Sequence, residues 1–408
     1  MKRIIFHLLV LISSALVGWF LVDFLTVHPL KMTLYLTYTL VGVVVLILWI
    51  FAIKRPRWLA VLISIIGFLG GYSINTKIFL DREDSRFVPE LTRKAEDVVE
   101  GHTAVVYFTH GEPETYDPIG WINQFREFDE QGIKFVPFVA RPVFAYMLRN
   151  RYLEIGKSNH RMVHHEMFHS LEKSYRLEGD STTQFYICFL DDEPRPDAAV
   201  IDALNDGADT IIVVDVFLTI SNHTAEGQHL IQELEIEERL GIPIIYTEPM
   251  WSSEKLRSVF LEKVNAQLGD TPKEEVAIAL VGHGQPDEWD VEWPTETEQE
   301  MAFREEIMEL FVANGFRREN LGSAWMSFKD PKPSSLMEDF MENGATRIFY
   351  FSAAMSADAM HSQIDIPRLV EEYDFPEGVE TMNLGAWNNH PTVIAAIRER
   401  IDETMEGH

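Results

Sequence analysis

The sequence predicts an α/β protein of two similar doubly wound parallel-sheet lobes set behind N-terminal transmembrane helices. Three observations carry that expectation. Residues 104–109 and 276–281 are apolar, β-branched runs, and each ends in a histidine beside glycine: His110-Gly111-x-Pro113 and Gly282-His283-Gly284-x-Pro286. Such a pattern reads as a buried strand delivering one histidine onto a turn at its carboxyl end. Around both units, strand-like and helix-like stretches alternate, which implies parallel sheets with helices on both faces. Ahead of them, the first 80 residues hold three apolar stretches, 4–25, 34–53 and 58–73, each near the ~20 residues needed to cross hydrocarbon.

Taken in order, the expected organisation is a three-helix membrane anchor over 1–80, a first lobe over 81–270 and a second over 271–408. The anchor carries Lys2, Arg3, Lys31, Lys54, Arg55, Arg57 and Lys77 against a single acid, Asp23, a balance of +6. The whole chain is −29, so residues 81–408 sum to −35. A soluble part this acidic argues against nucleic acid, whose phosphates require clustered Lys and Arg. Lys2-Arg3 and the group at 54–57 fall on one side of the membrane by the positive-inside rule, facing the cytoplasm. Three spans then put residues 81–408 outside it, with the chain embedded through residues 4–75.

Within the first lobe, strands are expected at 104–109, 134–139, 184–190, 210–218 and 243–247, interleaved with helical stretches at 117–130, 143–177, 197–205, 226–240 and 252–268. Gly269-Asp270-Thr271-Pro272 reads as a linker. The second lobe repeats the alternation, with strands at 276–281, 322–327, 346–352 and 379–383. Its helices are expected at 296–314, 334–343, 366–373 and 390–405. A second match supports duplication: Gly207-Ala208 and Gly344-Ala345 each precede an apolar strand that leads to a loop histidine, His223 and His361.

Chemistry is expected at the strand ends, where ligands sit in open α/β sheets. His283 is mounted rigidly, and its flanking glycines permit close approach of a bulky ligand. His361 has Asp365 four residues on, where a carboxylate either orients the imidazole or caps the helix opened by Pro367. Together, His283 and His361 are candidate catalytic and metal-ligating residues, because neutral imidazoles suit divalent metals and take protons near neutrality. His110 is the first-lobe echo. His223 and His229 are weaker candidates, and His160, His164, His165 and His169 read as a solvated or cleft-facing helix surface. The acidic run from Asp287 to Glu300 reads as an exposed loop entering a helix. Trp289, Trp293 and Trp325 line a flat pocket or pack a core. The lone Cys188 excludes an intrachain disulfide and a thiolate zinc cluster.

Several of these segments resemble the class II tetrapyrrole metal chelatases. Val281-Gly282-His283-Gly284-Gln285-Pro286 is similar to that family's S-x-H-G-x-P strand end. Gly111-Glu112-Pro113-Glu114-Thr115, Tyr152-x-x-Ile155-Gly156-x-Ser158 and Trp325-x-Ser327 resemble ferrochelatase segments. His361-Ser362-Gln363-Ile364-Asp365-Ile366-Pro367 looks like the cobalt-chelatase pattern H-x-x-x-D-I-P. The chain departs from the ferrochelatase plan at 356–361, where the family's glutamate is missing and a histidine stands nearby.

The resemblance implies ferrochelatase-like insertion of a divalent metal, Fe2+ first and Co2+ or Ni2+ next, into a tetrapyrrole between the lobes. The metal is then a substrate, and no organic cofactor is expected. Tyr152, Trp325, His110 and Gly284 are the implied substrate-binding residues, with Asp365 behind His361. Two rivals stand beside it: an extracytoplasmic haem- or metal-binding or dechelating protein of the same fold, and a tethered hydrolase. The hydrolase is disfavoured by the absence of a G-x-S-x-G elbow.

Overall fold

The computed structural model describes residues 2–52, 57–83, 86–97, 101–130, 132–133 and 136–407. They form two units, residues 1–85 with 115–157, and residues 86–114 with 158–408.

The first unit is helical. Lys2–Thr26, Met32–Ala52 and Arg57–Leu80 are its three apolar helices, each long and apolar enough to cross a membrane. Of the basic residues used for orientation, Lys54 and Arg55 lie outside the described residues. Small residues let the first and third helices approach closely: a Cβ on Gly71 would stand 2.0 Å from the Ala15 carbonyl oxygen, and one on Gly67 2.1 Å from Ser14 Oγ. Backbone contact at Gly67-x-x-x-Gly71 is how apolar helices pair where no hydrophobic effect separates helix from lipid.

Two further helices, Ile119–Glu130 and Arg141–Ile155, belong to this same unit. Arg149 Nη1 donates to the carbonyls of Phe24 (2.7 Å) and Val27 (2.9 Å), and the Tyr116 hydroxyl donates to Thr26 O (3.1 Å). These side chains satisfy carbonyls that the first helix leaves without partners at its end.

The second unit holds both sheets. β1 (His102–Thr109), β2 (Gln184–Phe189), β3 (Ala208–Asp215) and β4 (Ile244–Tyr246) form one, in the order β2-β1-β3-β4. β5 (Val276–Gly282), β6 (Leu321–Trp325), β7 (Arg347–Ser352) and β8 (Glu380–Gly385) form the other, as β6-β5-β7-β8. All pairings are parallel. The doubly wound α/β class and the duplication are therefore both present.

Side-chain alternation explains why the strands are apolar throughout. On β1, Val105 and Tyr107 face a core shared with Ile278 and Leu280 of β5, while Ala104, Val106 and Phe108 face an outer cluster with Val200 and Leu204. On β5, Ala277, Ala279 and Val281 face another outer cluster with Met337 and Phe340. A strand buried on both faces loses the polar half of its period. Helices His160–Leu177, Glu254–Gln267, Pro294–Ala313 and Pro391–Gly407 supply the layer between the sheets.

Three element expectations need correction. Residues 134–135 of the expected strand 134–139 lie outside the described residues; the rest is a bend and a 3-10 turn, Phe138–Ala140. Pro137, which lacks a backbone N–H and caps that turn, disfavours a strand there. The single amphipathic region 143–177 is two helices broken at Gly156, whose φ of 77° ends the first. The helix at 226–240 likewise breaks into Asn222–Gln232 and Ile236–Leu240, with Glu235 left-handed at φ 52°.

Candidate metal and tetrapyrrole site

The two central strands, β1 and β5, end in the two glycine-flanked histidines, and the turns are built alike. In the first, the His110 carbonyl accepts from Asp191 N (2.8 Å); in the second, the His283 carbonyl accepts from Ser327 N (3.0 Å). Gly111 and Gly284 have φ of 92° and 79°, a region favouring glycine. A Cβ on Gly284 would also stand 2.3 Å from the Ser327 carbonyl oxygen. The turn therefore has no room for a side chain at that position.

Each turn fixes its histidine's tautomer. His283 Nδ1 lies 2.7 Å from Gly284 O, and His110 Nδ1 lies 2.8 Å from Gly111 O. A carbonyl only accepts, so Nδ1 carries the proton and Nε2 keeps its lone pair. His361 reaches the same state by another route, donating from Nδ1 to Asp365 Oδ2 at 2.7 Å. That pair spans a π-helical turn, His361–Asp365, leading into helix Ile366–Glu371. Single π turns occur often at functional sites because they re-aim a side chain without ending the helix.

His283 and His361 are brought together, with ring centroids 5.4 Å apart in an edge-to-face arrangement. Burial, with His361 second, pushes the His283 imidazole down to about 4. It is therefore neutral at physiological pH, the form that ligates metal. The His361 turn is held from the first lobe: Met360 N donates to Glu112 Oε1 and Gln363 Oε1 accepts from Asn159 N, both at 2.9 Å. Among the described residues, no group of three or more His, Cys, Asp or Glu is arranged to hold a metal ion.

The other expected residues are placed differently. His110 pairs with His223, ring centroids 4.6 Å apart. Trp325 is buried with the Arg304 guanidinium 3.9 Å over its ring, so it supports the His283 turn from beneath. Tyr152 is buried in the first unit, edge-to-face with Tyr116. His229 is exposed and pairs with Glu233.

The histidine helix and the acidic run both depart from expectation. His169 is exposed and His165 partly so, whereas His160 and His164 are buried, with ring centroids 4.4 Å apart. Tyr107 hydroxyl lies 2.8 Å from His164 Nδ1, and Thr109 and Ser356 hydroxyls lie 3.1 and 3.2 Å from Nε2. The end of the acidic run also turns inward, while Asp287, Glu288, Glu292 and Glu298 are exposed as expected. Glu300 is buried beside Arg304 and accepts the His283 backbone N–H at 3.2 Å. Burial and the neighbouring Glu300 push Glu296 up to about 8. The signal for both lay in helical spacing: positions 160/164 and 296/300/304 stack on one face, which sheet-facing helices bury.

Comparison with known proteins finds a family match over the second lobe. Residues 277–404 match the CbiX family model. The second lobe is CbiX-like. That match bears out the class II chelatase resemblance over the lobe that carries His283 and His361. No curated protein matches the sequence. Similar solved structures include SirB from Bacillus subtilis with Fe3+, at 17% identity and TM-score 0.45, covering 75% of this chain and 98% of that one. The sirohydrochlorin chelatase SirB of Bacillus subtilis subspecies spizizenii, in complex with cobalt, gives 13% and 0.45, covering 75% and 96%. A multi-domain Deinococcus radiodurans protein with structural similarity to chelatases gives 13% and 0.46, covering 76% and 56%. With TM-scores under 0.5 these three carry no functional weight, and the CbiX-like assignment rests on the family match.

Proposed function

We propose that the chain is a membrane-anchored tetrapyrrole metal chelatase whose metal passes through His283 and His361. The observation that carries this reading is the pair itself: two imidazoles with ring centroids 5.4 Å apart, one at the end of β5 and one on the turn that follows the neighbouring β7, in the CbiX-like lobe. Both protons sit on Nδ1, so both Nε2 lone pairs are available. A two-imidazole site suits a metal that must be given up, because water and then the macrocycle supply the remaining ligands.

In the proposed reaction a divalent metal enters the macrocycle and two pyrrole protons pass to water, with no change of oxidation state. His283 is the better ligand than base, since a group pushed down to about 4 holds a proton weakly at neutral pH. Asp365 keeps His361 in its ligating tautomer. Gly284 gives the macrocycle close approach to the turn. Fe2+ is the first choice from the ferrochelatase-like segments, followed by Co2+ and Ni2+ because His361 stands where ferrochelatases use a glutamate. The test is metallation of a porphyrin and of sirohydrochlorin by the purified full chain with each metal. His283→Ala is expected to slow it at least tenfold; equal rates in variant and wild type would sink the assignment.

A second reading, an extracytoplasmic haem- or metal-binding or dechelating protein of this fold, is favoured by the charge asymmetry of the apolar segments. By the positive-inside rule, Lys2, Arg3 and the 54–57 group support an orientation with the lobes outside the cytoplasm. A reporter active only outside the cytoplasm, fused after His408, is expected to be active. A cytoplasmic reporter signal instead would remove the ground for this reading.

A further inference from the structure

We propose that the turn Phe138–Ala140 and the helix Arg141–Ile155 form a membrane-surface element of the first unit, with Phe138, Val139, Val143 and Met147 set in the boundary between the acyl chains and headgroups of the bilayer that the three apolar helices cross. All four side chains are apolar, yet they are 40–59% exposed. Val139, Val143 and Met147 recur every four residues, so they make one outward stripe. A contiguous apolar stripe left open marks a surface that something covers.

Its level along the third apolar helix says what covers it. The Tyr72 hydroxyl donates to the Val139 carbonyl at 2.8 Å. Tyr72 lies fifteen residues beyond Arg57, the first residue of that helix, or about 22 Å at the helical rise. A hydrocarbon core of ~30 Å that begins at Arg57 therefore still surrounds Tyr72 and leaves Val139 about 8 Å inside its far boundary. Leu69, three residues before Tyr72, is likewise exposed, so the stripe continues a surface of the span itself.

From that level the helix climbs out. Arg149, ten residues after Val139, donates to the Phe24 and Val27 carbonyls at the end of the first apolar helix. The outward residues change accordingly, from Val143 and Met147 to the exposed Glu154. Arg141, which falls at the deep end, is turned inward: its guanidinium lies 4.9 Å over the Phe125 ring, and Nη1 donates to Asp129 Oδ2 at 2.7 Å. Pairing a cation within the protein is what a position near hydrocarbon requires. Amphipathic helices that lie on bilayers bury their apolar face to a similar depth, about 5–10 Å. The inference rests on the apolar helices crossing a bilayer and is independent of the chelatase reading.

The test uses the cysteine content of the chain. Cys188 is the only cysteine and is buried, so a cysteine placed on the stripe takes a nitroxide label selectively. The full chain is labelled as Val139→Cys, Val143→Cys or Met147→Cys, with Leu69→Cys and Glu154→Cys as references, and reconstituted into phosphatidylcholine vesicles. Collision of each label with oxygen, which concentrates in lipid, is compared by electron paramagnetic resonance with collision with a water-soluble nickel chelate. Oxygen is expected to dominate at 139 as at 69, to lose ground through 143 and 147, and to yield to nickel at 154. Nickel dominating at 139 and 143 places the stripe in water and overturns the proposal. Exclusion of both reagents there means that protein, such as a second copy of the chain, covers it, and also overturns it. Nickel dominating at 69 as well shows that the third helix does not cross, and the proposal falls with that reading; oxygen at 69 with nickel at 139 strikes the proposal alone.

Discussion

At the scale of single residues, the orientation of the imidazoles controls what the site can do. Gly284 and Asp365 act on the two rings in the same sense, each accepting the Nδ1 proton. The Gly284 acceptor is backbone and survives most substitutions; Asp365 is replaceable. Asp365→Asn keeps the shape but removes the charge that favours the Nδ1–H tautomer. It is expected to weaken Co2+ binding by the second-lobe pair about 10- to 100-fold, measured by calorimetric titration of the detergent-solubilised full chain with Co2+, with the melting temperature unchanged. His283 and His361 were legible because glycine flanks and the i+4 aspartate are local signals. Glu300 was not, since its contact with the His283 backbone joins residues 17 positions apart through a helix packed on the strand.

Among elements, the close pairing of the first and third apolar helices depends on glycines whose role the hydropathy pattern does not show. Gly71 meets the Ala15 backbone, whereas a Cβ at Gly70 would meet nothing within 4 Å. Gly71→Leu is therefore expected to destabilise the full chain in detergent by about 1–3 kcal/mol, from overpacking against backbone that cannot yield. Gly70→Leu is expected to change stability by less than about 0.5 kcal/mol. Thermal unfolding of both variants checks the contrast; equal losses would show that the helices do not pack as described. The same scale explains the misread region 143–177. Its periodicity is helical throughout, and only the positive φ at Gly156 divides a helix of the first unit from one of the second.

For the whole molecule, the buried histidines set an acid limit on stability. Burial, with other histidines beside it, pushes His164 down to about 3, and His160 moves in the same direction. Both are neutral when folded, whereas the unfolded chain takes up protons near pH 6.5. Stability due to these groups is thus intact above about pH 6.5 and falls as pH drops below it, by roughly 2 kcal/mol for His164 alone at pH 5. Asp215 and Glu296 act oppositely, since burial pushes them up to about 7 and 8 and their contribution is lost as pH rises through those values. Wild type compared with His164→Gln isolates the histidine: the melting temperature of the variant is expected to fall less between pH 7.5 and pH 5. Parallel profiles would contradict the assignment.

The sequence by itself determined the three apolar segments, the doubly wound lobes, their duplication and the second-lobe pair. Each is written in short-range periodicity or in a glycine, histidine or aspartate at fixed spacing. Only the tertiary structure decided which unit claims residues 115–157, which of the described histidines are buried, and that His223 joins His110. Those outcomes depend on which helix face a sheet covers and which loops meet at a strand end. Contacts of that kind join residues up to a hundred or more positions apart, so no local window holds them.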